Sequence, residues 1–177
     1  EMAVKAAEVT DNGVRATLQS GETIEADQMM VAIGWKPNVA SLGLEGDLAL
    51  EQNQWGGIAV DEGMRTSIPN IYAIGDLVAP DGLMLAHVGS AMGIVAAETI
   101  AGHPTISLDF RMMPRATYCN PQVASFGYTE DQAREAGYEV NVGKFPFQPN
   151  GKALGMGERE GFVKIVADAR YGEILGA

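Results

Sequence analysis

Asn70-Ile-Tyr-Ala-Ile-Gly-Asp-Leu-Val-Ala-Pro-Asp-Gly-Leu-Met-Leu-Ala-His87 is the stretch whose reading decides the fold. Its apolar start, Ile71 to Ile74, predicts a short buried strand that ends on Gly75-Asp76. A glycine there lets another group approach the backbone closely. Asp76 then stands beyond the carboxyl end of a strand, where open α/β sheets bind ligands. A carboxylate accepts hydrogen bonds from a sugar or polyol hydroxyl. The pattern next predicts a helix from about Met84 to Ala101, whose first turn offers free N–H groups and a partial positive charge to an electron-rich ligand edge.

Gly75-Asp76 alone also reads as a turn whose aspartate caps a helix. The helix itself favours the ligand reading. Its strongly polar side chains are only His87, Ser90, Glu98 and Thr99, and no Lys or Arg occurs between Arg65 and Arg111. A helix apolar nearly all round is expected to be buried. An aspartate leading into it then needs a partner, because an unpaired buried carboxylate is costly; a neutral polyhydroxylated ligand would supply one.

Ile71-Tyr-Ala-Ile-Gly-Asp76, Met84-Leu-Ala-His87 and Gly93-Ile-Val-Ala96 resemble the second flavin-binding segment of the pyridine nucleotide–disulfide oxidoreductases. The likeness is greatest to the family's dihydrolipoamide dehydrogenase branch. Val31-Ala-Ile-Gly34-Trp-Lys-Pro-Asn38 resembles the strand and linker that leave its NAD domain. Tyr118-Cys-Asn-Pro-Gln-Val-Ala-Ser-Phe-Gly-Tyr-Thr-Glu130 is similar to the start of its dimerisation domain, and Gly161 to Val166 and Tyr171 to Gly176 to later strands of that domain. The resemblance implies α/β and α+β architecture in three parts. Residues 1–33 would be the end of an NAD-binding domain, 34–106 the return segment of an FAD-binding domain, and 107–177 a partial α+β dimerisation domain.

For the site, the resemblance implies FAD contacts from Gly75, Asp76, Met84, Leu85, Ala86 and His87, with Asp76 on the ribityl chain and the helix start at the flavin's pyrimidine edge. Gly34 matches the family's glycine near the NAD nicotinamide nucleotide, though a plain strand-end turn explains it equally well; Trp35 stands where arginine is more usual. The parent would be a homodimer, with lipoyl-bearing complex subunits as partners, that passes electrons from dihydrolipoamide through a disulfide and FAD to NAD⁺. A mercuric, glutathione or transhydrogenase-type reductase is the neighbouring alternative, and a non-catalytic dimerisation or binding module the alternative from another class.

The 177 residues lack Gly-x-Gly-x-x-Gly, and Cys119 is their only cysteine. The redox cysteine pair is therefore absent, no catalytic residue is expected within the chain, and the chain alone should be inactive. Glu1 and Ala177 read as cut ends of a longer enzyme. His103-Pro-Thr-Ile-Ser107 resembles the family's catalytic His-Pro-Thr-x-Ser-Glu, but it comes too early in the order of segments, and Leu108 replaces the glutamate. A helix stop, with Gly102 at C′ and Pro104 beyond, is the simpler reading. His87 in the first helical turn is expected to contact cofactor through its backbone rather than to transfer protons.

A net charge of −11 argues against nucleic acid or an anionic membrane as partner. No apolar run is long enough to span a bilayer, and a single cysteine suits a reducing compartment, here taken as the cytoplasm. No metal site is expected.

The remaining pattern predicts strands at Val4–Ala7, Val14–Leu18 and Glu22–Ile24, with turns at Asp11-Asn-Gly13 and Gln19-Ser-Gly21. Met29 to Ile33 reads as a strand buried on both faces, Leu42 to Leu50 as irregular, and Ile58 to Val60 as a strand. Ala116–Phe126 reads as a strand interrupted at Asn120-Pro121. Thr129 to Ala136 reads as a helix capped by Thr129, with further strands at Glu139–Phe147, Phe162–Ala167 and Ile174–Leu175. Cys119 is expected in the core, as are Tyr118, Phe126, Phe145, Phe147 and Phe162, some of which would also serve a dimer contact.

Overall fold

The computed structural model describes residues 2–42 and 49–177. Residues 43–48 of the expected irregular connection, and Glu1, lie outside the described residues. Helices and sheets are mixed along the chain, and every strand pair among the described residues is antiparallel. The chain divides into two units, 1–35 and 36–177.

The first unit is a three-stranded meander of β1 (Val4–Thr10), β2 (Gly13–Leu18) and β3 (Thr23–Ala26). The Asn-Gly and Ser-Gly turns set its register, as the sequence predicts. Glu8, Arg15 and Glu25 stand directly opposite one another across the three strands. Arg15 donates to both carboxylates, at 3.0 Å and 2.8 Å, and the two glutamates hold its guanidinium pKa above the ordinary value, Glu25 more than Glu8. Met29 to Ile33 is not a strand. No described segment pairs with it, and Ile33 is 93% exposed. An apolar run forms a two-faced buried strand only when neighbours supply hydrogen bonds on both sides.

The described residues of the second unit form two cores. In the larger, Val88, Met92, Val95 and Ala96 of α1 (Ala86–Ala101) pack with Ile58, Met64, Ala73 and Val78. The helix starts two residues later than predicted and is buried on one face only; Ile94 and Ile100 are exposed. The expectation of burial all round is corrected: the described residues that pack on α1 cover only its Val88, Met92, Val95 and Ala96 side. Gly102 ends it in the left-handed conformation (φ 70°), with its N–H on the Glu98 and Thr99 carbonyls. The residues expected as strands at Ile58–Val60 and Ile71–Ile74 form only single bridges, Gln52 to Ile58 and Arg65 to Tyr72. Each bridge closes a tight loop with a left-handed residue, Gly56 at φ of 76° in the first and Asn70 at φ of 65° in the second.

The smaller core joins Ala133 of α2 (Glu130–Glu135) to Val166 and Leu175, with Tyr128 and Val140 against it. Val166 and Leu175 lie on the sheet β6 (Val140–Pro146), β7 (Phe162–Asp168), β8 (Ile174–Gly176). Thr129 caps α2 in a full capping box with Gln132. Between β6 and β7 lies α3 (Gly151–Met156), which hydrophobic periodicity did not predict. Its signals were Asn150, whose side chain accepts from the Ala153 N–H, and the left-handed Gly157 at its end.

Residues 115–125 form a hairpin, β4 (Arg115–Thr117) with β5 (Val123–Ser125), rather than one interrupted strand. Cys119 sits in its exposed turn, its thiol 2.9 Å from the Pro121 carbonyl, and is not a core residue. Tyr118, Phe145 and Phe162 are also exposed, and Phe126 and Phe147 are half-buried. The core of this region is Ala133, Val166 and Leu175 instead; Phe162 shares a face of β7 with Val166 but stands at the exposed start of the strand, and Phe145 lies on the opposite face beside Val163. Phe162 instead carries the Lys144 ammonium over its ring, 3.8 Å from the centroid.

Candidate functional site

Gly75 opens a single 3-10 turn, Gly75–Leu77, with φ of 67°. That left-handed conformation is nearly free for glycine and strained for any other residue here. The Val78 and Ala79 N–H groups both bond the Gly75 carbonyl, at 2.9 Å and 3.1 Å. Two bonds from upstream chain hold the turn from behind. The Ile58 N–H reaches the Leu77 carbonyl at 2.8 Å, and the Asn53 side-chain amide reaches the Val78 carbonyl at 2.6 Å.

From the front the turn meets α1. A Cβ on Gly89 would lie 3.3 Å from the Gly75 Cα, tighter than nearly all real contacts, and one on Gly93 would touch the Ile74 side chain at 3.6 Å. The Gly89–Gly93 spacing thus presents a flat helix surface to Ile74-Gly75. Asp76 follows directly. Its carboxylate is exposed and none of the described residues bonds it, which corrects the expectation of a buried aspartate. It is left available to a ligand.

The chain then passes through a second 3-10 turn, Pro80–Gly82, in which Ala79 (φ 45°) and Asp81 (φ 49°) are both left-handed. Such residues cost about 1–3 kcal/mol each and persist only where surroundings over-determine them. Here Ala79 is fully buried, and the Trp55 indole stands where a Cβ on the exposed Gly82 would meet it at 3.5 Å. Met84 and Leu85 are half-buried; Leu85 is the extended N-cap, with no side-chain cap bond. Ala86 and His87 are the first two helical residues. The Ala86, His87 and Val88 N–H groups therefore have no helical acceptor, whereas the Gly89 N–H already bonds the Leu85 carbonyl at 3.1 Å.

The structure sets Gly75 against Gly89 of α1, with Asp76 next along the turn and residues 84–87 leading into the same helix. His87 turns its imidazole elsewhere: its Nε2 lies 3.0 Å from the Pro114 carbonyl. That bond ties the helix start to the segment entering β4 and accounts for the side chain without catalysis. Gly34 belongs to the other unit. Its φ of 120° requires glycine, and nothing within 4 Å would meet a Cβ there. Trp35 beside it is 88% exposed.

His103, Thr105 and Ser107 line an open cavity of about 380 Å³ with Glu62, Arg65 and Thr99. No carboxylate among the described residues bonds the His103 ring, consistent with the helix stop. Asp61, near this cavity, is pushed up by desolvation, yet the backbone N–H groups of Arg65 and Gly63, with the Arg65 guanidinium, together hold its carboxyl below the usual range. Sequence reading missed Asn53, Trp55 and Gly89. Asn53 to Gly57 carried a turn signal (Asn, then Gly-Gly), and Gly89 and Gly93 carried a four-residue glycine spacing.

Among the described residues no helix is long and apolar enough to cross a membrane. No group of three metal-ligating side chains occurs among them either.

Residues 1–93 match the family described as pyridine nucleotide-disulphide oxidoreductase, and residues 113–177 match the dimerisation domain of the same family. The chain is 55% identical over 159 residues to the dihydrolipoyl dehydrogenase of Corynebacterium glutamicum, covering 88% of this chain and 33% of that protein. It is 50% identical to the Mycobacterium leprae dihydrolipoyl dehydrogenase, covering 97% of this chain and 38% of the relative. The Geobacillus stearothermophilus dihydrolipoyl dehydrogenase is 43% identical over 98% of this chain and 37% of its own length. Among solved structures, LpdA from Mycobacterium tuberculosis superposes with a TM-score of 0.87 at 26% identity, over 99% of this chain and 38% of that one. The Escherichia coli HOCl-induced flavoprotein disulfide reductase RclA gives a TM-score of 0.82 at 26% identity, over 98% of this chain and 39% of that one. The chain thus spans little more than a third of the length of these relatives.

Proposed function

The chain belongs to the pyridine nucleotide-disulphide oxidoreductases, and from that premise we propose that it supplies the ribityl and pyrimidine side of the flavin site of a dihydrolipoamide dehydrogenase. The three relatives compared above carry that name, at 43% to 55% identity, which favours this branch over the mercuric, glutathione or transhydrogenase-type reductases. The observation that carries the assignment to a site is the Gly75–Gly89 contact. It sets an unpartnered carboxylate, Asp76, beside a helix start with free N–H groups.

These residues fit FAD. Asp76 would accept hydrogen bonds from ribityl hydroxyls, and Met84 to His87 would present backbone donors to the pyrimidine edge. When bound, FAD supplies the two-electron chemistry of the reaction. The chain's part is to orient it and to set a partial positive charge where negative charge builds on reduction. Such a helix end is worth about 0.3–1 kcal/mol when exposed and up to about 2 when partly buried. Gly34 would approach NAD.

In this reading residues 1–33 close an NAD-binding domain, 34–106 return to the FAD-binding domain, and 107–177 contribute to a domain that pairs two copies. The match of residues 113–177 supports the last assignment, and the exposed Phe145, Val163 and Ile165 on β6 and β7 give that pairing an apolar surface. Dihydrolipoamide would be the electron donor of the whole enzyme, NAD⁺ the acceptor, lipoyl-bearing subunits the macromolecular partners, and the cytoplasm its compartment.

Amide chemical shifts recorded as riboflavin is added to the ¹⁵N-labelled chain test the site. The reading predicts changes concentrated at 75–77 and 84–89. Shifts confined to other segments, or none at saturating riboflavin, would overturn it.

A further inference from the structure

Asn53 lies well outside the segments that would touch flavin, yet its side chain makes three directed hydrogen bonds. Its Oδ1 accepts from the Trp55 N–H at 2.9 Å and the Gly57 N–H at 3.1 Å, and its Nδ2 donates to the Val78 carbonyl at 2.6 Å. Its backbone joins the same network: the Asn53 N–H bonds the Gly57 carbonyl at 2.8 Å, and the Gly56 N–H bonds the Asn53 carbonyl at 3.0 Å. The side chain therefore closes the 53–57 turn with one end and grips the Gly75–Leu77 turn with the other. Two further contacts make the seat specific. A Cβ on Gly57 would collide with the Val78 carbonyl, so the backbones meet at closest approach. The Trp55 ring, set by the same turn, lies against Gly82.

We propose that Asn53 is a positioning residue for the flavin site, fixing the place of the Asp76 carboxylate through its bond to the Val78 carbonyl. The inference rests on the flavin reading above and adds to it a residue with no ligand contact. The physical ground is leverage. Val78 is two residues beyond Asp76, and Ala79 and Asp81 hold left-handed geometry that relaxes unless something over-determines it. Of the two bonds that reach this turn from behind, Ile58's comes from backbone and survives substitution; the side-chain bond depends on Asn53 alone. Asparagine is the residue that does this. Aspartate keeps both acceptor bonds but faces the Val78 carbonyl with a second oxygen.

The test is a double-mutant cycle on riboflavin affinity, read by quenching of flavin fluorescence, in the full 177-residue chain. The four proteins are wild type, Asn53→Asp, Asp76→Ala and the double variant. A positioning role predicts that Asn53→Asp weakens binding about tenfold when Asp76 is present and less than about twofold when it is absent. A thermal melt of each protein accompanies the cycle. Equal weakening in both backgrounds would mean a merely structural role and would overturn the proposal, as would unchanged affinity. Failure of the wild-type chain to bind riboflavin would overturn the flavin reading itself and this inference with it. If Asn53→Asp does not fold, Asn53→Ser carries the same cycle. It keeps an oxygen to accept from Trp55 and Gly57 but is too short to reach Val78.

Discussion

Gly75 and Gly89 face each other backbone to backbone, so closely that a Cβ on Gly89 would sit 3.3 Å from the Gly75 Cα. The two glycines have different reasons to be glycine. Gly75 needs a left-handed φ, whereas Gly89 sits in a regular helix and needs only the absence of a side chain. Together they set the distance between the Asp76 turn and the first turn of α1.

Gly89→Val tests that distance. A branched side chain there forces the Gly75–Leu77 turn off the helix, and overpacking of this kind typically costs about 1–3 kcal/mol. The variant is expected to melt at lower temperature and to bind flavin more weakly than wild type. A melt unchanged from wild type would show that the contact is slack.

Gly127→Ala is expected to destabilise the smaller core. Gly127 pairs with Gly176 in an isolated bridge, with φ of 72°, and a Cβ there would run into the Leu175 carbonyl. Backbone strain and collision together should cost about 2 kcal/mol or more. Urea unfolding measures it; a loss within about 0.5 kcal/mol, the ordinary surface range, would contradict the geometry.

Glu130 sets a pH dependence. Hydrogen bonds from Lys164 and then Arg134, at 2.8 Å and 2.6 Å, hold its carboxyl below the usual range. A depressed folded pKa means the contribution to stability is present above the unfolded value, near 4.5, and is lost as pH falls through the folded one. Glu130→Gln should therefore have a lower urea midpoint than wild type at pH 7, with the gap closing below about pH 4. A gap that persists undiminished at acid pH would show that the ion pairs are not its source.

No disulfide chemistry is expected from these 177 residues by themselves, because Cys119 has no second cysteine to pair with. Purified chain supplied with FAD, NAD⁺ and dihydrolipoamide should make no NADH above the blank. A rate proportional to the amount of chain would contradict this.

What was legible in the sequence was local. Asn12-Gly13 and Ser20-Gly21 dictated the meander, and Thr129 dictated the start of α2, because turn and cap chemistry act within a few residues. Gly102 stopped α1 for the same reason. Non-local facts misled. Met29 to Ile33 has the composition of a central strand, but strand formation depends on neighbours that composition does not reveal. The exposed Tyr118 and Phe162 show the converse: Tyr118 lies in a hairpin turn, and Phe162 is uncovered although it shares a face of β7 with the buried Val166. At the candidate site, the turn at Gly75-Asp76 and the entry to the helix over Met84 to His87 could be read from their motif. The roles of Asn53 and Gly89 could not, since each depends on a contact with chain more than a dozen residues away.

The most direct test of the flavin assignment compares riboflavin with FAD on wild-type chain and on Asp76→Ala. The chain has no Gly-x-Gly-x-x-Gly to hold a pyrophosphate, so the two ligands should bind wild type with dissociation constants within about threefold of each other. Asp76→Ala should weaken both by about tenfold or more, the usual cost of losing a hydrogen bond to a charged group, with little change in melting temperature. No saturable binding, or binding indifferent to Asp76→Ala, would contradict the assignment.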